Sequence, residues 1–307
     1  MAALAVAAGL LTAGCSDDDD NPSTLINESR ILAVSADPPV PTLSGTTALR
    51  ALLVDPPGTE TSPAWQVSWR VCDPWQIIGD PTVDCPADQA LALQSPDTDT
   101  DPGDDGPVAE LVLSEVLEAY PPPSWFDPAS LDDDGDSDGD SAAAACDYGF
   151  VELTVVVEAI RSGERLLAIK RLRVTGSDLE RRNPVIADLA LHGDGDGDSA
   201  LVGYSGDQTY QLDIAPAREQ LDLTCPEDGD ADGADEPVLE SLRVFLYSDG
   251  GRFDEPFIDI EYEADGEEIA DITTWTAPPI GSGAIRLWTV VVDGDGGVGW
   301  SEFTITE

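Results

Sequence analysis

The chain has 307 residues, of which 41% are hydrophobic, and it carries 14 Lys plus Arg against 62 Asp plus Glu, a formal net charge of −48. This length suggests roughly two domains of ordinary size. So acidic a surface repels nucleic acid and anionic lipid headgroups, because binding to phosphate depends mainly on Lys and Arg. The composition therefore excludes a nucleic-acid-binding protein.

The N-terminal segment predicts targeting and a lipid anchor. Residues 2–14 are uncharged and mostly apolar, typical of a signal-peptide core and too short to span a bilayer as a helix. No basic residue precedes this core, so we interpret residues 1–14 as a signal peptide truncated at its N-terminus. The small residues at 12–14 followed by Cys15 resemble a bacterial lipobox, although Thr12 replaces the usual Leu, Val or Ile. The resemblance implies acylation of Cys15; a secretory peptide with an incidental cysteine is the alternative.

The residues after Cys15 bear on location. Ser16, rather than Asp, follows the cysteine, which by resemblance to Gram-negative lipoproteins implies the outer membrane, facing either the periplasm or the cell surface. We expect residues 15–27 to be an acidic tether. Its Asp run at 17–20 resembles the sorting signals of some surface-exposed lipoproteins and equally fits a solvated spacer. No later stretch reaches about 18 apolar residues, so the lipid would be the sole membrane attachment.

The first module is predicted to span residues 28–178 and to be mostly β. In residues 65–72 apolar and polar side chains alternate with a period of two, the pattern of a half-buried strand. Two long apolar runs flank Ser162-Gly163, which indicates a hairpin. Residues 109–120 form the one good helix candidate, ended by three prolines. Further strands are predicted at 31–36 and 47–55.

The second module is predicted to span residues 183–307. Short apolar runs recur at the spacing expected of an antiparallel sandwich. The last of them reads as a terminal hairpin whose turn, Asp-Gly-Asp-Gly-Gly at 293–297, consists of residues that tolerate positive φ. The fold class predicted from both modules is all-β, with two antiparallel β-sandwiches joined by acidic low-complexity loops.

Two stretches carry a family resemblance. Residues 283–305 resemble the closing F and G strands of bacterial immunoglobulin-like and PKD-like modules, and residues 29–58 resemble their opening strands. The resemblance implies immunoglobulin-like sandwiches in an extracytoplasmic setting and no catalytic residue. The layout also resembles the two-module surface lipoproteins common in myxobacteria, a group that implies no particular activity.

The cysteines suggest disulfides rather than metal ligation. Four remain after Cys15, an even number in an oxidising compartment, and three pairings are open to them. We favour a bond between Cys72 and Cys85, which are close in sequence. No Cys or His spacing fits a zinc site. The possible disulfide cysteines are Cys72, Cys85, Cys146 and Cys225.

The Asp/Gly tracts raise the question of calcium. Carboxylates at alternate positions with a glycine at the sixth can surround Ca²⁺, as in EF-hand loops. Position twelve, however, holds Ala145 in one tract and Leu239 in the other, where a bidentate Glu belongs. We favour solvated acidic loops, with weak calcium binding as the alternative. The candidate ligands are Asp134, Asp136, Asp138, Asp140, Asp228, Asp230 and Asp232.

Evidence for an enzyme is slight. The stretch around Ser205 lacks the second glycine of a nucleophile elbow, and His192 precedes Ser205, whereas hydrolases of that type place the histidine last. We expect His192 to be a loop residue. Half of the basic residues fall within 161–182, and three interpretations are open: a site for an acidic partner, a site for the protein's own acidic loops, or, as we prefer, a solvated face.

The tryptophans divide into core and binding candidates. Alternation places Trp69 and Trp288 in sandwich cores. Trp75 and Trp125 lie in proline-rich loops, so they are the possible binding aromatics.

The sequence as a whole predicts a non-enzymatic, lipid-anchored envelope protein with a binding, adhesion or structural role. Its expected partners are the membrane, through the lipid, and envelope proteins or polysaccharide. The alternatives are a calcium-binding structural surface protein, with calcium as the only cofactor considered, and a secreted hydrolase.

Overall fold

The fold is almost entirely β. The computed structural model describes residues 24–59, 62–76, 78, 84–95, 106–124, 126, 150–176, 181–193, 203–217, 223–224, 238–262 and 268–307. Within these residues there are eighteen strands and a single short helix. Two large hydrophobic cores, one built from residues 34–174 and the other from residues 186–305, organise the strands.

The first core lies between two antiparallel sheets, which we call the first sandwich. One sheet has the strand order β1-β2-β5 and the other β4-β3-β6-β7. The strands are β1 (Arg30–Asp37), β2 (Thr46–Val54), β3 (Gln66–Val71), β4 (Leu91–Ala92), β5 (Val108–Val112), β6 (Phe150–Arg161) and β7 (Glu164–Thr175). Both sheets supply core side chains, including Leu49 and Leu111 from one and Trp69 and Val155 from the other.

The predicted helix at 109–120 is only half correct. Its first residues belong to strand β5, which pairs with β2 from Thr46↔Val112 to Arg50↔Val108. The chain then forms helix α1 (Leu113–Ala119), and three prolines follow shortly after its end. Sheet pairing and the burial of Ala109 and Leu111 outweigh the helical pattern in the first half.

The second core lies between a four-stranded and a five-stranded sheet, which we call the second sandwich. The strand orders are β13-β16-β9-β8 and β15-β14-β12-β17-β18, and a small separate sheet pairs β10 with β11. The first of these strands are β8 (Ile186–Gly193), β9 (Thr209–Pro216), β10 (Leu223–Thr224), β11 (Val238–Leu239), β12 (Leu242–Ser248) and β13 (Arg252–Phe253). The remainder are β14 (Phe257–Tyr262), β15 (Glu268–Ala270), β16 (Thr273–Thr276), β17 (Ile285–Asp293) and β18 (Val298–Ile305).

Both sandwiches share the strand order of immunoglobulin-like folds. In the first, β1-β2-β5 and β4-β3-β6-β7 follow the A-B-E and C′-C-F-G arrangement. In the second, β8-β9-β16 and β14-β12-β17-β18 repeat it, and β13 and β15 extend the two sheets. The predicted fold class is therefore confirmed. The module boundaries, 28–178 and 183–307, stay predictions.

Two hairpins that the sequence predicts are present. Ser162 and Gly163 both have positive φ, 50° and 91°, and join β6 to β7 in a two-residue turn. The turn at 293–297 joins β17 to β18, and in it the Asp293 carboxylate accepts hydrogen bonds from the backbone N–H groups of Asp295 and Gly297. Asp therefore stabilises this turn as an acceptor for its own backbone.

Candidate functional site: the groove between the sandwiches

The two sandwiches are joined by an apolar cluster built around one tryptophan. Trp288 is 1% exposed and donates its indole N–H to Glu302 at 2.8 Å. It packs not in a sandwich core but between the sandwiches, so the prediction for Trp288 is wrong in its location, whereas Trp69 lies in the first core as predicted. The other members of this inter-sandwich cluster are Ile26, Leu32, Leu52, Val54 and Tyr247.

The end of the expected tether is part of this junction. Ile26 is 1% exposed, and its backbone N–H donates to the carbonyl of Ser248 on β12. The Ser248 N–H donates in turn to the carbonyl of Thr24. Residues 24–26 are thus attached to the second sandwich before the chain enters β1 of the first.

The acidic turn at 293–297, the docked turn, lies against strand β7 of the first sandwich. The Lys170 ammonium donates to the carbonyl of Gly296, and Arg173 reaches the Asp295 carboxylate at 3.0 Å. Arg181, in the segment between the sandwiches, contacts the other Asp295 oxygen at 3.2 Å. These residues bring the basic segment and one of the acidic turns together.

Burial shifts the titration of two groups in this contact. Desolvation lowers the pKa of Lys170 from 10.5 to about 8, and the nearby Asp293 only partly offsets it. Desolvation also raises the pKa of Asp293, and Asp295 adds to the rise, although backbone N–H groups and Lys170 act against it. The docked turn is thus a weakly hydrated site where charge is costly.

These contacts test two of the three interpretations of the basic segment, and a site for an acidic partner stays a prediction. A solvated face is wrong for Lys170, which is 7% exposed, and it holds for Arg171, whose side chain is 67% exposed. The interpretation as a site for the protein's own acidic loops is confirmed at Arg173 and Arg181, through Asp295. The physical reason is that β7 is an edge strand and the second sandwich covers part of that edge.

Asn183 connects the sandwiches by backbone recognition. Its amide nitrogen donates to the carbonyl of Ala36 on β1 at 2.7 Å. Its amide oxygen accepts from the N–H of Val298 on β18 at 2.8 Å. One side chain therefore satisfies a strand in each sandwich.

A buried ion network lies at the far end of the junction. Arg161 forms two bonds to the Asp55 carboxylate, at 2.7 and 3.0 Å, and stacks over Trp65 at 4.0 Å. Burial alone would raise the pKa of Asp55, but hydrogen bonds from Arg161, Ser29 and Trp65 hold it below its ordinary value. Arg286 of the second sandwich donates to the Asp55 carbonyl at 3.2 Å, which ties the network to β17.

Beside the docked turn, the sandwiches leave a groove of about 460 Å³ between them. Ile169 on its rim is 47% exposed, and Phe257, 38% exposed, packs against the lining residue Phe245 with ring centroids 6.0 Å apart. The groove continues the apolar surface of the inter-sandwich cluster. Its lining residues are Ile31, Leu32, Ala33 and Val34 from β1, Ala168, Ile169, Lys170 and Arg171 from β7, and Phe245, Tyr247, Val290, Val292 and Val298 from the second sandwich.

A second cavity of about 670 Å³ opens beside Arg286. Its polar centre is the Asp249 carboxylate, which accepts from the Arg286 backbone N–H and guanidinium, both at 2.8 Å. These two residues satisfy each other's charge, and four of the other lining residues are glycine or proline: Pro57, Gly250, Gly251 and Pro278. We take the groove as the candidate functional site because side chains of both sandwiches line it and the apolar side chain of Ile169 is exposed there.

Of the residues singled out from the sequence, those that the structure describes lie outside the groove. Trp75 donates its indole N–H to the Tyr120 carbonyl at 3.1 Å and packs on Phe126 with ring centroids 4.8 Å apart, so its contacts are those of a loop anchor. The disulfide between Cys72 and Cys85 is confirmed. The remaining candidates, which fall outside the described residues, are Cys15, Trp125, Cys146, Cys225, Asp134, Asp136, Asp138, Asp140, Asp228, Asp230 and Asp232.

The two residues considered for a hydrolase, His192 and Ser205, have structural contacts in the second sandwich. His192 lies on β8 opposite Gln211 rather than in a loop, because pairing with β9 extends to Gly193. Its imidazole is 3.8 Å from Asp213, a residue of β9. Ser205 contacts Tyr210, whose hydroxyl accepts the Ser205 backbone N–H at 2.6 Å. Among the described residues, no group of three His, Cys, Asp or Glu is arranged to hold a metal ion.

Comparisons with known proteins show only remote likeness. No protein-family model matches the sequence, and no curated protein matches it. The fibronectin(III)-like modules of CbhA from Clostridium thermocellum are 12% identical, with 89% of this chain and 93% of that chain covered and a TM-score of 0.22. The adhesin InvE of Yersinia pseudotuberculosis is 11% identical, with 90% and 58% covered and a TM-score of 0.19.

A Salmonella alpha-2-macroglobulin is 13% identical, with 89% of this chain and 16% of that chain covered and a TM-score of 0.21. At scores this low the likenesses carry no argument about activity or partner, and the immunoglobulin-like assignment rests on the strand order itself. In the described part of the chain, no helix has the length and apolar character needed to cross a membrane.

Proposed function

We propose that this protein is a lipid-anchored component of the bacterial cell envelope that binds another envelope molecule without catalysing a reaction. The observation that carries the binding role is the groove, whose apolar lining comes from both sandwiches and whose rim exposes Ile169. Exposed apolar surface of this kind marks interaction sites. The docked turn and Asn183 fix the sandwiches relative to each other, so the groove is formed before a partner arrives.

The anchor is supported by the lipobox-like residues that end at Cys15. Mass spectrometry of the native N-terminus tests it: we expect a mature protein that begins at an acylated Cys15 and fractionates with the outer membrane. Cys15→Ser should release the protein into the soluble fraction. An unmodified Cys15 in the native protein would refute the anchor and leave the binding role standing.

The binding role is tested by capture from solubilised envelope, with the full chain in detergent as bait. Ile169→Lys places a charge at the groove rim, and Ile280→Lys, at a position that is 80% exposed and lines neither cavity, is the matched control. We expect partners retained by the wild type and the control to be lost from Ile169→Lys. Equal capture by all three proteins would contradict a binding role for the groove.

A further inference from the structure

The outer edge of β7 offers unpaired backbone groups to the groove. Arg161 and Glu164 close the two-residue hairpin, so they form a hydrogen-bonded pair, and such pairs then alternate along the ladder. Ile169 faces Val156 at a non-hydrogen-bonded position, so the N–H and C=O of Ile169 point away from β6. No described residue forms a hydrogen bond to these backbone groups. Arg171 is two residues farther along β7, so its N–H and C=O also point away from β6.

The facing edge of β1 has the same property. Ala51 of β2 directs its N–H toward Pro107, on the β5 side, so Ala51 and its partner Val34 are a non-hydrogen-bonded pair. The backbone groups of Val34 therefore point away from β2. In the part of the chain that the structure describes, nothing bonds them. Val34, which is 6% exposed, and Ile169, which is 47% exposed, both line the groove, so the accessible strand edge among its walls is that of β7.

The protein already adds an extended segment to the same edge of β7. Thr175, which shares the parity of Ile169 and Arg171, donates its N–H to the Pro41 carbonyl and accepts from the Leu43 N–H. Thr42 and Thr175 form a parallel bridge. Segment 41–43 therefore pairs as a short strand at one end of the edge, and the groove lies farther along the same edge, where this segment does not reach.

The floor and rim of the groove indicate what kind of segment fits. Phe245 and Val292, both half-buried, present apolar surface from the second sandwich, which suits side chains at alternate positions of a strand. The Arg171 side chain is 67% exposed, and its contact with Glu152, at 3.6 Å, is a surface pair of low strength. A carboxylate on the added strand could compete for Arg171.

We propose that the groove binds an extended polypeptide segment by β-strand addition to β7, with apolar side chains on the floor and an acidic residue at Arg171. This inference rests on the proposed binding role and names the partner as a polypeptide strand. Main-chain hydrogen bonds would supply affinity, and the apolar floor would supply selectivity for alternating sequences.

The test uses 12-residue linear peptides displayed on phage and selected against the full chain in detergent. Ile169→Pro removes the outward N–H, which β6 does not use, and proline is tolerated on a strand edge of this kind. Ile169→Thr changes the side chain and keeps the N–H. Arg165→Pro, at the same parity but outside the groove, is the control for proline itself.

We expect selected peptides to alternate apolar residues and to bind Ile169→Pro at least about tenfold more weakly, the loss that follows from one hydrogen bond. Binding to Ile169→Thr and Arg165→Pro should change less than about threefold, since the strand pairing is kept. Hydrogen exchange at the Ile169, Arg171 and Val34 amides should slow when peptide is bound.

Several outcomes would overturn strand addition. They are wild-type affinity in Ile169→Pro, failure of the library to yield a peptide that prefers the wild type over Ile169→Pro, or a groove-dependent partner that proves to be polysaccharide. In the last case Ile169→Lys would still abolish capture, so the binding role would survive. If Ile169→Lys captured as the wild type does, the binding role itself would fail.

Discussion

The junction between the sandwiches has two dissimilar regions. At one, Trp288 is buried among aliphatic side chains from β1 and β2 of the first sandwich. At the other, Lys170, Arg173 and Arg181 meet the docked turn through charge and backbone oxygen. Apolar burial supplies most of the stabilising free energy in such contacts. For buried charges, the desolvation penalty nearly offsets the Coulombic attraction. We infer that Trp288 holds the sandwiches together and that the docked turn determines how they are oriented.

The largest expected effect follows from removing the apolar region. Trp288→Ala should lower the free energy of unfolding by about 3–5 kcal/mol, the usual cost of deleting a buried tryptophan. Because the lost contacts lie between the sandwiches, the two sandwiches should unfold independently, and urea denaturation should show two transitions. The circular dichroism spectrum in buffer should stay native. Trp69→Ala, a deletion of equal size inside the first core, should instead unfold the first sandwich. A single transition in both variants would contradict the division of roles.

At the docked turn, the free energy of unfolding should depend on pH through Lys170. Because the pKa of Lys170 is lowered to about 8, unfolded chains bind more protons than folded ones between about pH 8 and 10.5. Stability should therefore rise with pH across that window, by up to about 3 kcal/mol. Lys170→Met should abolish this rise and increase stability at pH 7. The measurement is the difference between wild-type and variant unfolding curves at each pH, which cancels the tyrosine titrations.

Arg171→Met is the matched control, because Arg171 neighbours Lys170 but is exposed. Its pH profile should follow that of the wild type. If Lys170→Met kept the alkaline rise, the lysine would not be its source.

The next largest effect should come from removing the uncharged side chain of Asn183, which connects the two sandwiches. Asn183→Ala leaves the Ala36 carbonyl and the Val298 N–H without their partner, which should cost about 1–3 kcal/mol. Asn183→Asp keeps the acceptor for Val298 and should recover part of the loss. Thermal unfolding of the wild type and the two variants measures this loss of stability. Equal melting temperatures would show that water replaces the hydrogen bonds of the amide without loss of stability.

We expect the smallest effect from the half-buried guanidinium of Arg173. Arg173→Ala should cost less than about 1 kcal/mol, and the difference should vanish in 1 M salt, where screening extends over roughly 3 Å. Arg243→Ala removes an exposed pair with Asp259 inside the second sandwich and serves as the comparison. Because Trp288 holds the sandwiches together, neither variant should divide the unfolding transition in two. A salt-independent loss at Arg173 would indicate a packing role.

The two tryptophans show how far pattern alone can predict the structure. Alternation along β3 and β17 predicted that Trp69 and Trp288 would be buried, and both are. It could not tell a sandwich core from a contact between sandwiches, because β17 has two buried faces: Leu287 and Val291 face the second core, and Trp288 faces the first sandwich. Similarly, residues 109–120 carry a helical pattern, but the first of them complete a sheet.

The groove and its strand edges were not predicted by the sequence. Phe245, Val292 and Ile169 are ordinary residues of apolar strands, without the glycine, proline or cysteine signals that mark turns and disulfides. Their proximity depends on how two separately folded sandwiches pack. One signal in the sequence could have indicated a contact between the sandwiches: half of the Lys and Arg in this acidic chain lie within 161–182.

Local features were predictable from the amino-acid sequence alone: strands of period two, the Ser162-Gly163 turn, the terminal hairpin, the all-β class and the pairing of Cys72 with Cys85. Each depends on residues near one another in the chain, where side-chain alternation and backbone preference act directly. Three features became visible only in the folded protein: Lys170 is buried, Trp288 joins the sandwiches, and Val34 and Ile169 both line the groove. These features depend on which faces remain uncovered after each sandwich has formed, and no short stretch of sequence records that.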